Sequence, residues 1–163
     1  MSAPTVHDDR WCVACGENNP WGLHLSFRWE GEELVTDFVP QRVHQGWAGV
    51  THGGVLCLLL DEVMNKLLCH RVGAVVTAEL SVRFRQPTPV GVPLQVRARV
   101  VRSRHRLHET EAQAVLADGT VLATATAKMM QVEGSFAGPE PAGPEAEFGL
   151  AAECGDGRHW LWT

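Results

Sequence analysis

The sequence predicts an α+β domain in which an antiparallel sheet holds one helix in its concave side. Three observations predict it. The stretch from Gly53 to about Arg71 is apolar almost all round in its first half, the mark of a buried helix. Segments with strand alternation flank it, two before and four after. Proline and glycine punctuate those segments, with Ala117-Asp118-Gly119 placed to close the last hairpin.

In chain order, Leu23 to Trp29 alternates as a half-buried strand, with Leu23, Leu25, Phe27 and Trp29 on one face. Glu30-Gly31-Glu32 turns the chain, and Glu33 to Val39 reads as a second strand ended by Pro40. Gln41 to Thr51 is expected to be a loop. After the helix come strands at Ala74 to Arg85, Leu94 to Arg104, Arg106 to Leu116 and Thr120 to Val132. In the first of these, alternation puts Val76, Ala78, Leu80, Val82 and Phe84 on one face and Thr77, Glu79, Ser81, Arg83 and Arg85 on a polar one. Residues 133–163 are rich in Gly, Pro, Ala and Glu and read as a tail, so the expected organisation is an N-terminal segment 1–22, a domain 23–132 and a tail 133–163.

At 163 residues the chain is long enough for one well-buried domain. A net charge of -5 speaks against nucleic acid as the partner. Arginines do gather at 83, 85, 97, 99, 102, 104 and 106, either as the solvated face of paired strands or as a place that steers an anionic small molecule. Met1 to Cys12 lacks a signal-peptide pattern, and Val55 to Leu60 is too short to span a bilayer. Five irregularly spaced cysteines fit a reducing compartment, so no membrane partner and a cytoplasmic location are expected.

The run Thr51-His52-Gly53-Gly54-Val55-Leu56-Cys57-Leu58-Leu59-Leu60-Asp61-Glu62 carries the chemistry. A helix starting at Gly53 presents N–H groups without intrahelical acceptors, at the positive end of the helix dipole. Glycines 53 and 54 let a substrate carbonyl approach those donors, which makes an oxyanion hole; the plainer alternative is a tight loop-to-helix turn. Asp61 sits among apolar residues, where a carboxylate needs a partner or a task. Adjacent carboxylates on a helix point about 100° apart. Glu62 is therefore assigned to an i,i+4 salt bridge with Lys66 and Asp61, within reach of Asn65, to chemistry. Gly53 and Asp61 lie about 12 Å apart along one helix, too far to grip one carbonyl together. If both act on it, Asp61 must come from a second subunit, and the site lies at an interface.

Three blocks resemble the hotdog-fold thioesterases of the PaaI type. They are Cys12-Val13-Ala14-Cys15-Gly16 with Asn19-Pro20-Trp21-Gly22-Leu23, then His52-Gly53-Gly54 to Leu60-Asp61-Glu62, then Arg83-Phe84-Arg85-Gln86-Pro87 with Pro89-Val90-Gly91. The resemblance covers about residues 12 to 132. It implies a sheet wrapped around one long central helix, a homo-oligomer that is a dimer or a dimer of dimers, and hydrolysis of acyl-CoA or acyl-carrier thioesters. It further implies that the Gly53 N–H polarises the carbonyl, that Asp61 is general base or nucleophile, that Thr77 positions the water and that His52 supports the turn or assists. Some members carry an asparagine six residues before the histidine; here that position is Gly46, and Gln45 or His44 would substitute. Gly54, Gln45, Trp47, Arg83, Arg85 and Arg104 are the expected substrate-binding residues. Trp21 and Trp47 are pocket linings or else core or interface anchors.

No cofactor is expected beyond the coenzyme A thioester itself, and no metal. Cys12-x-x-Cys15 supplies two zinc ligands, but no second Cys pair follows, and His7, His24 or His44 would have to complete the set. Two other functions stay open. One is a hotdog dehydratase or hydratase using His52 as base; the other is a non-catalytic module that binds acyl or aromatic ligands.

Overall fold

A computed structural model describes residues 10–132; the tail expected at 133–163 lies outside the described residues. The elements are β1 (Arg28–Glu30), β2 (Glu33–Phe38), β3 (Gln45–Trp47), β4 (Val50–Thr51), α1 (Gly53–Val72), β5 (Val75–Phe84), β6 (Leu94–Arg104), β7 (Leu107–Leu116) and β8 (Val121–Gln131). A single antiparallel six-stranded sheet runs in the order β1-β2-β6-β7-β8-β5, and β3 and β4 form a separate two-stranded ribbon.

The sheet receives α1 because its facing positions are small. Ala98 of β6, Ala112 and Ala114 of β7, and Ala123, Ala125 and Ala127 of β8 are all buried. Into the space above them α1 sends Leu56, Leu59, Leu60, Val63, Met64, Leu67 and Leu68, none more than 2% exposed. Each such side chain stabilises the fold by roughly 1.5–3 kcal/mol relative to exposure. Gly73, at φ 91°, ends the helix and donates its N–H to the Cys69 carbonyl. This is the hotdog arrangement. No helix among the described residues is long and apolar enough to cross a membrane.

The structure corrects two expected strands. Only Arg28–Glu30 of the first pairs as a strand. Upstream of it, Leu23 and Leu25 donate their N–H groups to the carbonyls of Val13 and Ala14, and His24 takes φ 51°. Leu25 is thus buried against the N-terminal segment, while Trp29 is 44% exposed and lies edge-on to His70 under the Arg71 guanidinium. The second correction concerns β5. Its pairing with β8 passes from Thr77↔Met129 to Glu79↔Lys128, so Ala78 is an extra, bulged residue. The bulge reverses the alternation: Val75 and Thr77 share the helix side with Leu80, Val82 and Phe84, whereas Val76 and Ala78 do not. The expected loop from Gln41 to Thr51 contains a 3-10 turn at Arg42–His44 and the ribbon β3/β4.

Candidate active site

His52 caps α1. Its ring Nδ1 accepts the Gly54 N–H at 2.9 Å and its carbonyl accepts the Val55 N–H at 3.0 Å. Capping therefore consumes the Gly54 donor and leaves the N–H of Gly53 without an acceptor among the described residues. Both glycines are dictated by contact: a Cβ at residue 54 would stand 2.9 Å from His52 Nδ1, and one at residue 53 would stand 3.2 Å from the Phe84 ring of β5. Gly46 follows the same logic. A Cβ there would meet His52 Cδ2 at 3.0 Å, so β3 passes too close over the cap for an asparagine to stand at this position without displacement.

The Gly53 donor opens on a cavity of about 390 Å³ whose lining includes Val50, Leu56, Phe84, Arg85 and Pro87. It is mainly apolar, with Arg85 as its cation.

Two turns along α1, Asp61 is half-buried, and its Oδ1 accepts the Thr77 hydroxyl at 2.8 Å. The β5 bulge makes this contact, since unbroken alternation after Phe84 would have turned Thr77 to the outer face. Asn65 does not join Asp61; it donates to the Val75 carbonyl and accepts from Cys69. Cys57, one turn before Asp61, has its thiol pushed up, first by burial and further by Asp61, which leaves it a poor nucleophile.

Glu62 points elsewhere. It meets Lys66 at 3.8 Å, as the spacing predicts, and accepts from the Cys12 thiol at 3.7 Å. Among the described residues the cysteine pair meets a helix carboxylate and neither His24 nor His44, and His7 lies outside the described residues; contacts across fifty residues leave no mark in local spacing.

The remaining predicted residues divide. The Gln45 side-chain oxygen Oε1 accepts the Gly49 N–H at 3.3 Å and so holds the β3/β4 ribbon together. His44 accepts the Gln41 N–H at 2.9 Å and packs on Phe38, and burial lowers its pKa. Neither side chain contacts Asp61. Trp47 is 82% and Trp21 69% exposed, which removes both from this chain's own core. Arg83 lies on the outer face of the sheet with Arg97 and Arg99, around a shallow cavity of about 560 Å³. Arg97 pairs with Glu30 and Glu33 and Arg99 with Glu111, so for them the solvated-face expectation is met. Arg83 and Arg85 have no carboxylate partner among the described residues, and Arg85 reaches both cavities. Arg104 stands apart: it pairs with Leu107 at the β6/β7 hairpin, seven residues and about 20 Å along β6 from the row of Arg97 and Arg83.

Known proteins share the fold. Residues 48–123 match the sequence pattern of the thioesterase superfamily. The acyl-coenzyme A thioesterase THEM4 of Xenopus laevis is 29% identical over 91 residues, 56% of this chain and 41% of that protein. The match thus spans about two fifths of that relative's length. Among solved structures, a thioesterase superfamily protein superposes with a TM-score of 0.71 at 26% identity, over 75% of this chain and 61% of that one. A phenylacetic acid degradation-related protein from Ralstonia eutropha JMP134 gives 0.62 at 27% identity, over 67% and 86%. The PaaI protein of E. coli gives 0.63 at 18% identity over 67% and 84%, a likeness of fold.

Proposed function

We propose, from the membership of residues 48–123 in the thioesterase superfamily, that this chain hydrolyses acyl-CoA thioesters to a carboxylic acid and free coenzyme A in a homo-oligomer. The observation that carries the proposal is the Thr77–Asp61 hydrogen bond on the helix whose first N–H, that of Gly53, has no acceptor among the described residues. The substrate carbonyl oxygen accepts from Gly53 N–H, and Asp61 takes a proton from the attacking water, or attacks the carbonyl itself. On the first route the C–S bond breaks and the proton held by Asp61 passes to the leaving thiolate; on the second the thiolate leaves an acyl–Asp61 anhydride, which water hydrolyses to the carboxylic acid and free Asp61. One oxyanion donor is worth about 3 kcal/mol, and a positioned base at least about a hundredfold. His52 is the weaker base because its Nδ1 is engaged in the cap.

Distance and surface support the oligomer. Gly53 and Asp61 are eight residues apart on one straight helix, about 12 Å, so a complete site takes Gly53 from one copy and Asp61 from another. Strand β5 is ten residues long and forms one edge of the sheet, and Trp47 and Phe84 stand exposed near the helix start. An uncovered edge of that length calls for a partner. In this arrangement Arg85, with Arg83 behind it, meets the phosphates of coenzyme A, and Gly54, Gln45 and Trp47 border the entry.

The test is chromatographic detection of free coenzyme A and carboxylate from short, medium, long and aryl acyl-CoAs, with wild type beside Asp61→Asn. Turnover that falls at least about a hundredfold in the variant, with the oligomer intact, supports the proposal. Binding of acyl-CoA without turnover by wild type would instead make the chain a ligand-binding module.

A further inference from the structure

We propose that Cys12, Cys15 and Glu62 form a zinc site that clamps the N-terminal segment onto the flank of α1 opposite Thr77. One ligand atom from each residue lies within 4.8 Å of the others, and Cys12 Sγ stands 3.7 Å from Glu62 Oε1. Tetrahedral zinc, at about 2.3 Å from sulfur and about 2.0–2.2 Å from oxygen, sets its ligand atoms about 3.5–3.8 Å apart. The three side chains need only small rotations to meet that requirement.

The turn carrying the cysteines is built to hold them. Gly16 donates its N–H to the Cys12 carbonyl at 2.8 Å, and Asn18 donates to the Arg10 carbonyl at 2.9 Å, closing a loop around Cys12. The Ala14 N–H points at Cys12 Sγ from 3.4 Å and fixes the side chain's direction. Only glycine fits at residue 16, where a Cβ would stand 2.4 Å from the Cys12 nitrogen and 2.5 Å from the Arg10 oxygen.

The Glu62 carboxylate, only 12% exposed, has three partners, the Cys12 thiol at 3.7 Å, the Cys15 thiol and Lys66 at 3.8 Å. The Cys15 thiol is pushed up to about 12, first by burial and then by Glu62, which makes Cys15 slow in thiol–disulfide exchange. A divalent cation reverses this by displacing both thiol protons. Two thiolates, one carboxylate and the dication sum to one negative charge, and Lys66 beside Glu62 balances it. Two soft sulfurs select zinc over magnesium or calcium, and water takes the fourth position. The ion ties residues 10–18 to the helix, and the site stands independent of the hydrolysis proposed above.

The experiment uses the full chain, purified without chelator, for metal analysis and for cobalt substitution. The expected result is about one zinc per chain and a thiolate-to-cobalt absorption band. That band disappears in Cys12→Ser and Cys15→Ser and persists in Cys57→Ser and Cys69→Ser. Chelation should lower the melting temperature of wild type and leave that of Glu62→Gln unmoved. Should the serine variants fold poorly, zinc competition against a chromophoric chelator on wild type decides alone. The proposal is overturned by reduced wild type that takes up no zinc, by a cobalt band indifferent to both N-terminal cysteines, or by a Cys12–Cys15 disulfide in protein purified under reducing conditions.

Discussion

Asp61 and Glu62 are consecutive, yet α1 turns them to opposite flanks with opposite characters. On one flank Asp61 is half-buried, takes a single hydrogen bond from Thr77 and shares its helix with an unused N–H at Gly53. On the other, Glu62 is enclosed by Lys66, Cys12 and Cys15 under a loop closed by its own backbone hydrogen bonds. The open flank keeps acceptor and donor capacity unspent, which is what a reacting substrate requires. The closed flank spends that capacity within the chain. Two carboxylates of the same helix thus differ in surroundings through what the sheet and the N-terminal segment bring to them.

The largest effect belongs to the open flank. Gly53→Pro removes the unspent donor at the helix start and suits the helical backbone, because proline fits the first helical position and His52 at ψ 134° already has the backbone that a following proline needs; the Phe84 ring, 3.2 Å from a Cβ at residue 53 and 54% exposed, must give by a few tenths of an ångström. We expect kcat to fall about 10²–10³-fold with the circular dichroism spectrum retained. An unchanged kcat would move the oxyanion away from Gly53. Next comes Thr77→Val, which keeps shape and deletes the hydroxyl. Losing a hydrogen bond to a charged group, about 1.5–3 kcal/mol, should lower kcat at least about tenfold with KM nearly constant. A change confined to KM would make Thr77 a binding residue. The smallest effect is expected on the closed flank and in stability: Glu62→Gln leaves Lys66 without its carboxylate. Since Lys66 is 27% exposed and the pair is 3.8 Å long, denaturant unfolding should show a loss of about 1–2 kcal/mol, below the range for a fully buried pair. A gain in stability would contradict the clamp.

The helix, its start at Gly53 and the Glu62–Lys66 pair were legible in the sequence because each rests on short-range patterns. His52 precedes two glycines, and Lys66 stands four residues after Glu62. What alternation could not show was the bulge at Ala78. One extra residue reverses every later side chain, so counting from Phe84 assigned Thr77 to the polar face while the family resemblance assigned it to the site. The strand expected at Leu23 to Trp29 failed for another reason: the carbonyls of Val13 and Ala14 captured the N–H groups of Leu23 and Leu25. Arg104 was grouped with Arg83 by residue type, and only the strand register separates them.

The central claim is that one working site draws Gly53 and Asp61 from two copies of the chain, and mixing two inactive variants tests it most directly. Asp61→Asn and Gly53→Pro, each assayed alone and then combined under subunit exchange, generate mixed dimers with one intact site and one doubly altered site. Random exchange makes half of the dimers mixed, so the account predicts recovery to about a quarter of wild-type turnover. Turnover no higher than that of either variant alone, with exchange verified, would contradict it and place both groups in a single chain.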